Sequence, residues 1–139
     1  MTPRRKTVVT SRSEAHLYLA KAQQFSAEAA AAINNSRNDA AVLNAVHAAI
    51  SATDAVCVAL AGRRSTDPDH QRAADLLQEI GGKSRGIASH VRQLRMLLAK
   101  KNVVEYEARQ ASAKEASEAV RRAERLVGWA SQTVEAAQL

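Results

Sequence analysis

Apolar residues recur at steps of three and four along most of the chain, and each run stops at a short polar cluster. Tyr18, Ala22, Phe25, Ala29 and Ile33 mark a first helix from about Ser13 to Ile33, with Ser11 and Glu14 at capping-box spacing. "NNSRND" interrupts it with residues that bond their own backbone. A second helix carries the stripe Leu43, Val46, Ile50, Thr53, Cys57 and Leu60, and Gly62 ends it in a left-handed conformation. "RRSTDPDH" is a polar loop in which Asp67 and Pro68 suit the cap and first residue of a short helix, Pro68 to Ile80. Its buried face is Ala73, Leu76, Leu77 and Ile80, and Gly81 and Gly82 break it.

Ser84 is placed to cap a fourth helix with the stripe Ile87, Val91, Leu94 and Leu98. "KKNVVEYEAR", Lys100 to Arg109, then forms the link ahead of the closing helix. Ser112 and Glu115 make another capping box, and Ala116, Val120, Ala123, Val127, Ala130 and Val134 carry that helix to the end. The pattern predicts an all-α antiparallel bundle of four long helices and one short one. Residues 1–12 form a basic arm, expected to be disordered, and residues 13–139 a single domain.

Composition sharpens this picture. Aromatic residues are only 3% of 139, so Ala, Leu, Val and Ile must fill the core. Such a chain favours closely packed helices over sheet. Cys57 is alone, which excludes an internal disulfide and paired-cysteine zinc sites. No metal and no cofactor are expected. No apolar run approaches the roughly 20 residues of a membrane span, and the N-terminus lacks the apolar middle of a secretion signal. The expectation is a soluble cytoplasmic protein with no membrane contact.

The net charge is +6. Arg4, Arg5, Lys6 and Arg12 lie in the arm without an acid, so the folded part is only mildly basic. Within it, nothing acidic separates Glu79 from Glu105, whereas Lys83, Arg85, Arg92, Arg95, Lys100 and Lys101 all fall there. That block is a candidate nucleic-acid contact. Arg63 and Arg64, beside Asp67, Asp69 and His70, are a second candidate for gripping phosphate.

Three further groupings are weaker. Arg85 and His90 have an R-x4-H spacing, but on one regular helix they point about 140° apart. Asn44, His47, Ser51 and Asp54 form a polar seam on the second helix, which reads first as a hydrogen-bonded line fixing helix register. Arg122, Arg125 and Trp129 share a helix face suited to cation-π packing.

The order of segments carries a resemblance. "AVHAAISATDAVCVALAGRRSTDPDH", a Leu-rich helix, "KKNVVEYEAR" and "ASAKEASEAVRRAERLVGWA" together resemble the HEPN superfamily, in particular its small actinobacterial-type branch, over about Asn38 to Val134. The resemblance implies a helical bundle, often a metal-independent ribonuclease toxin paired with a nucleotidyltransferase-type antitoxin. It also implies a homodimer, in which two R-x4-6-H motifs build one RNA-cleaving site.

At the family's motif position this chain has Lys101-Asn102 for Arg-Asn, and Glu105-Tyr106 where the His would fall. Cleavage by a 2′-hydroxyl needs a proton-transfer group working near neutral pH and a cation for the phosphorane. Lys101 supplies a cation, but a tyrosine hydroxyl is a poor base there and a carboxylate needs tuning. The resemblance therefore leaves three functions open. The first is an RNA- or nucleotide-associated module binding through Arg92, Arg95, Lys100, Lys101, Arg63 and Arg64. The second is an active ribonuclease with Lys101, Asn102, Glu105 and Tyr106 as a divergent site. The third is a non-catalytic adaptor.

Overall fold

The computed structural model describes residues 6–82 and 86–139. Five helices dominate it: α1 (Ala15–Asn34), α2 (Asn38–Ala61), α3 (Gln71–Gly81), α4 (Ile87–Tyr106) and α5 (Ala113–Ala136). Two three-residue strands, β1 (Thr7–Val9) and β2 (Arg63–Ser65), pair antiparallel with Val8 opposite Arg64. The protein is the all-α bundle that its periodicity predicts, with one small addition.

That addition corrects the reading of the N-terminal arm over residues 6–12, residues 1–5 lying outside the described residues. Residues 7–9 are a strand, the Thr10 amide donates to the Gly62 carbonyl at 2.8 Å, and Arg12 Nε donates to the Ala59 carbonyl at 2.8 Å. The guanidinium thus meets the carbonyl end of α2, where cations are favoured. Gly62 has φ of 66°, and a Cβ there would come within 3.1 Å of the Thr10 carbonyl oxygen. Glycine both ends α2 and lets the arm approach.

α2 is the axis of the molecule, in contact with each of the other four helices. It is consequently buried on almost every side, and the six-residue stripe understated this. Val46, Thr53 and Cys57 are buried, but so are Ala41, Ala45, Ala48, Ala49, Ala52, Ala55 and Ala59, while Leu60 is 46% exposed. Small residues let α1 lie close along α2, and α1 answers with Ala15, Ala22 and Ala29 at seven-residue spacing. Leu76, Leu77, Leu94, Leu97 and Leu98 fill the opposite side. By length and mean hydropathy α2 also qualifies as a membrane span, which corrects the expectation that no such run exists, but it is two-thirds buried inside the bundle.

Three boundaries differ from the pattern-based expectation. Ser11 caps nothing with its side chain, and residues 12–14 form a single 3-10 turn. α3 begins at Gln71, because Asp67 and Asp69 each accept the amide two residues on, at 2.9 and 3.0 Å, and so build turns where helix was expected. α4 runs on to Tyr106, so Lys100 to Tyr106 is helix and only residues 107–112 are the link. Val104 packing on the core and the Lys101–Glu105 pair, 3.6 Å apart at four-residue spacing, hold that last turn. The capping box of Ser112 and Glu115 on α5 forms as predicted. Ser84 and Arg85 lie outside the described residues.

Candidate functional site

The chemistry of the α2 surface begins with what its polar seam does not do. Asn44 bonds back to the Ala40 carbonyl of its own helix at 2.9 Å. Among the described residues, His47, Ser51 and Asp54 make no side-chain hydrogen bond to another helix. The seam is therefore not the register-fixing line its spacing suggests; His47 packs against Phe25 of α1 and Asp54 lines a cavity.

Four elements meet at this corner. α2 gives His47, Ile50 and Asp54. β2 gives Arg64, and strand alternation sends Arg63 the other way, where its Nη2 meets Glu79 at 3.3 Å. The loop into α3 gives Ser65 to His70, held by the Asp67 and Asp69 turns. The last turns of α4 give Lys101 and Glu105, close enough to His47 and His70 to act on their titration. A cavity of about 410 Å³ lies on the β2 side of the corner, lined by Ile50, Asp54, Arg64, Ser65, Thr66, Asp67, Pro68, His70 and Ala73 and not by His47 or the α4 residues.

Burial shifts these groups towards their uncharged forms. Asp54 is largely withdrawn from water, which pushes its carboxyl up to about 7, although Arg64 and Lys21 pull it down. His70 is lowered by burial, then by the charges of Lys101 and His47, with Asp69 and Glu105 opposing. His47, tilted against Phe25 with ring centroids 5.4 Å apart, is lowered first by burial and then by Lys101. Both imidazoles are thereby biased to the neutral form. Cys57, beneath this surface, is driven up to about 12 by burial and the Asp54 charge, and is an inert thiol.

Arg64 is the unusual member. Its guanidinium carbon stands 5.2 Å from the centroid of the Tyr18 ring, and its Nε is buried without a hydrogen-bond partner. An unsatisfied buried donor is rare enough in a folded protein to need a reason.

The remaining sequence candidates scatter. Arg95 braces α4 against α3 through Asp75 Oδ1 at 2.6 Å and Gln71 Oε1 at 2.8 Å. Lys100 turns to α5 and meets Glu115 at 3.1 Å. Arg92 and Asn102 are exposed, and Tyr106 is 78% exposed. His90 stacks on Trp129 at 3.9 Å, while Arg122 bonds Gln93 at 2.6 Å, so the aromatic partner of Trp129 is a histidine and not an arginine. Among the described residues no cluster has the composition of a metal site.

Sequence reasoning weighed Arg63, Arg64 and His70 for phosphate but left Asp54 in a separate seam. One signal was available. Arg64 and His70 are separated by five residues, the spacing of the R-x4-6-H pattern, in a loop instead of ahead of the last helix.

Fold and site together define a helical-bundle domain with a polar corner cleft rich in tunable side chains. The HEPN domain model matches residues 15–133, most of the chain, and the protein belongs to that family. Neither the curated proteins nor the solved structures gave a match.

Proposed function

We propose that this HEPN domain binds RNA, or a nucleotide-bearing partner, at the corner of α2, β2, α3 and α4. Arg64, His70 and Lys101 contact phosphate there, and Arg92 adds an exposed cation elsewhere on α4. The observation that carries this reading is convergence: α2, β2, the loop into α3 and α3 itself meet around one cavity, Lys101 of α4 is near enough to His70 to act on its titration, and among the described residues neither Arg64 nor Lys101 is ion-paired across helices as Arg95 and Lys100 are. A homodimer, and pairing with a nucleotidyltransferase-type antitoxin, belong to this reading as family expectations. Titration of the purified protein with single-stranded RNA at two salt concentrations tests it. Affinity should fall as salt rises, because phosphate neutralisation releases counterions. Absent or salt-indifferent binding would leave the adaptor reading.

The R-x5-H spacing of Arg64 and His70 supports ribonuclease activity as a second reading. A neutral His70 is suited to take a proton from a 2′-hydroxyl, and Arg64 to steady the charge gathering on phosphorus. Cleavage of bulk RNA that disappears in Arg64→Ala and His70→Ala supports this site. Cleavage lost only in the Lys101→Ala, Tyr106→Ala double variant places the chemistry at the end of α4 instead.

A further inference from the structure

The cavity beside Arg64 has features that a general phosphate-contacting surface does not need. It is small, at about 410 Å³, the lower end of what small-molecule sites occupy and room for one nucleotide end. Ile50 and Ala73 give part of its lining an apolar character. It contains one guanidinium, clamped against the Tyr18 ring, whose Nε is buried and bonded to nothing among the described residues. A rigid, planar, unspent fork matches the geometry of phosphate oxygens better than it serves packing alone.

Asp54 shares that cavity, and an ionised carboxylate beside an incoming anion would repel it. We propose that this cleft is a subsite for a terminal phosphate monoester, in which Arg64 donates to the phosphate oxygens and Asp54 takes up a proton as the anion enters. This rests on the nucleic-acid reading above and narrows it to a strand end or mononucleotide.

The charged surroundings are consistent with a proton-coupled site. Asp54 faces Arg64 from β2 and Lys21 from α1, and Cys57 lies on its own helix. His70 faces Lys101 and Glu105 from α4, His47 from α2 and Asp69 from its own loop. Asp67 also lines the cavity, but its Oδ1 accepts the Asp69 amide at 2.9 Å. The Asp54 carboxyl, poised near 7, is the group whose charge changes across neutral pH. Both imidazoles are shifted below their ordinary value and gain charge at lower pH.

Calorimetric titration of the full chain with AMP and with adenosine, at about pH 6 and pH 8, tests the proposal. AMP should bind and adenosine should not. AMP affinity should weaken about five- to ten-fold from the lower to the higher pH, as expected for a group near 7 that must be protonated. The phosphate itself gains charge over the same range, so weakening must come from the protein. Asp54→Asn should remove the pH dependence and keep binding at the higher pH. Arg64→Gln and Arg64→Lys, each confirmed folded by circular dichroism, should both lose AMP affinity, the lysine variant less. Equal binding of AMP and adenosine, unchanged affinity in the Arg64 variants, or one shared pH profile for wild type and Asp54→Asn would overturn it. A 5′- and 3′-hydroxyl RNA is titrated in parallel. If that RNA binds and AMP does not, the terminal-phosphate proposal falls and RNA binding stands; if AMP binds and that RNA does not, the reverse holds.

Discussion

Lys100 and Lys101 are neighbours in sequence and lie in opposite electrostatic settings. Lys100 turns towards α5, where Glu115 also receives Arg109 at 2.9 Å and the Ser112 amide at 3.0 Å. Lys100, Arg109 and Glu115 all have close partners there, and the outcome is mechanical: the 107–112 link is pinned to the start of α5. Lys101 turns towards α2 and α3. It has one loose pair with Glu105 at 3.6 Å, and beyond it stand two half-buried histidines. Farther along the same cleft are a carboxyl shifted to about 7 and an arginine Nε without an acceptor. Satisfied charges build structure. Unsatisfied ones gathered at a cavity retain the capacity to bind, and that difference separates a brace from a site.

The sharpest way to break the comparison is Asp54→Asn. The folded state holds the Asp54 proton more tightly than the unfolded chain does, so this group favours folding most at low pH. Its contribution is lost as pH rises from the ordinary carboxylate value, near 4, through the folded value. Removing the charge should raise stability at pH 8 by up to about 4 kcal/mol, the upper bound set by a shift of roughly three units. Urea unfolding at pH 5 and pH 8 measures it. Wild type should lose stability relative to Asp54→Asn over that interval, the lowered histidines adding the same opposite trend to both proteins. Equal pH dependence in the two proteins would make Asp54 an ordinary solvated carboxylate.

Lys101→Ala sharpens the same contrast with a smaller effect. Under the proposed function it should weaken RNA binding and lower the slope of log affinity against log salt by about 0.7, the loss of one phosphate contact on a single strand. Lys100→Ala should leave the slope unchanged. If the two variants behave alike, the division between brace and site fails at its central pair.

Much of the fold was legible because the helical period of its apolar residues is a local property. The stripes of α4 and α5 appear in the structure as buried faces, and Gly62 ends α2 as its chemistry requires. The site was less legible for a physical reason. His47, Asp54, Arg64, His70 and Lys101 span more than fifty residues, and only tertiary packing brings Asp54, Arg64 and His70 to one cavity with His47 and Lys101 near it. The arm was misread for a related cause: the Lys6–Val9 backbone finds partners in residues 62–66, a long-range pairing with no local signature. Charge density, the signal that sequence does offer, pointed equally at Arg95, Lys100 and Lys101, and could not tell which cations the fold would spend on itself.

The brace offers the smallest effects and a control on the rest. Ser112 Oγ accepts the Glu115 amide at 3.1 Å, satisfying one of the free donors at the start of α5. Ser112→Ala should cost about 1 kcal/mol by urea unfolding, nearly independent of pH and salt. Glu115→Gln should cost less, since its ion pairs are at the surface and screened. Arg109, the Ser112 amide and Lys100 hold the Glu115 carboxyl well below the usual carboxylate range. Its stabilisation is therefore complete above the ordinary carboxylate value and fades as pH falls towards the depressed one. Thermal melts of wild type and Glu115→Gln should differ at neutral pH and low salt, converge in high salt, and begin to draw together only as pH falls below about 4. A gap that persisted under all three conditions would mean that Glu115 acts through packing, and the α4–α5 corner would no longer be the paired-charge counterpart of the cleft.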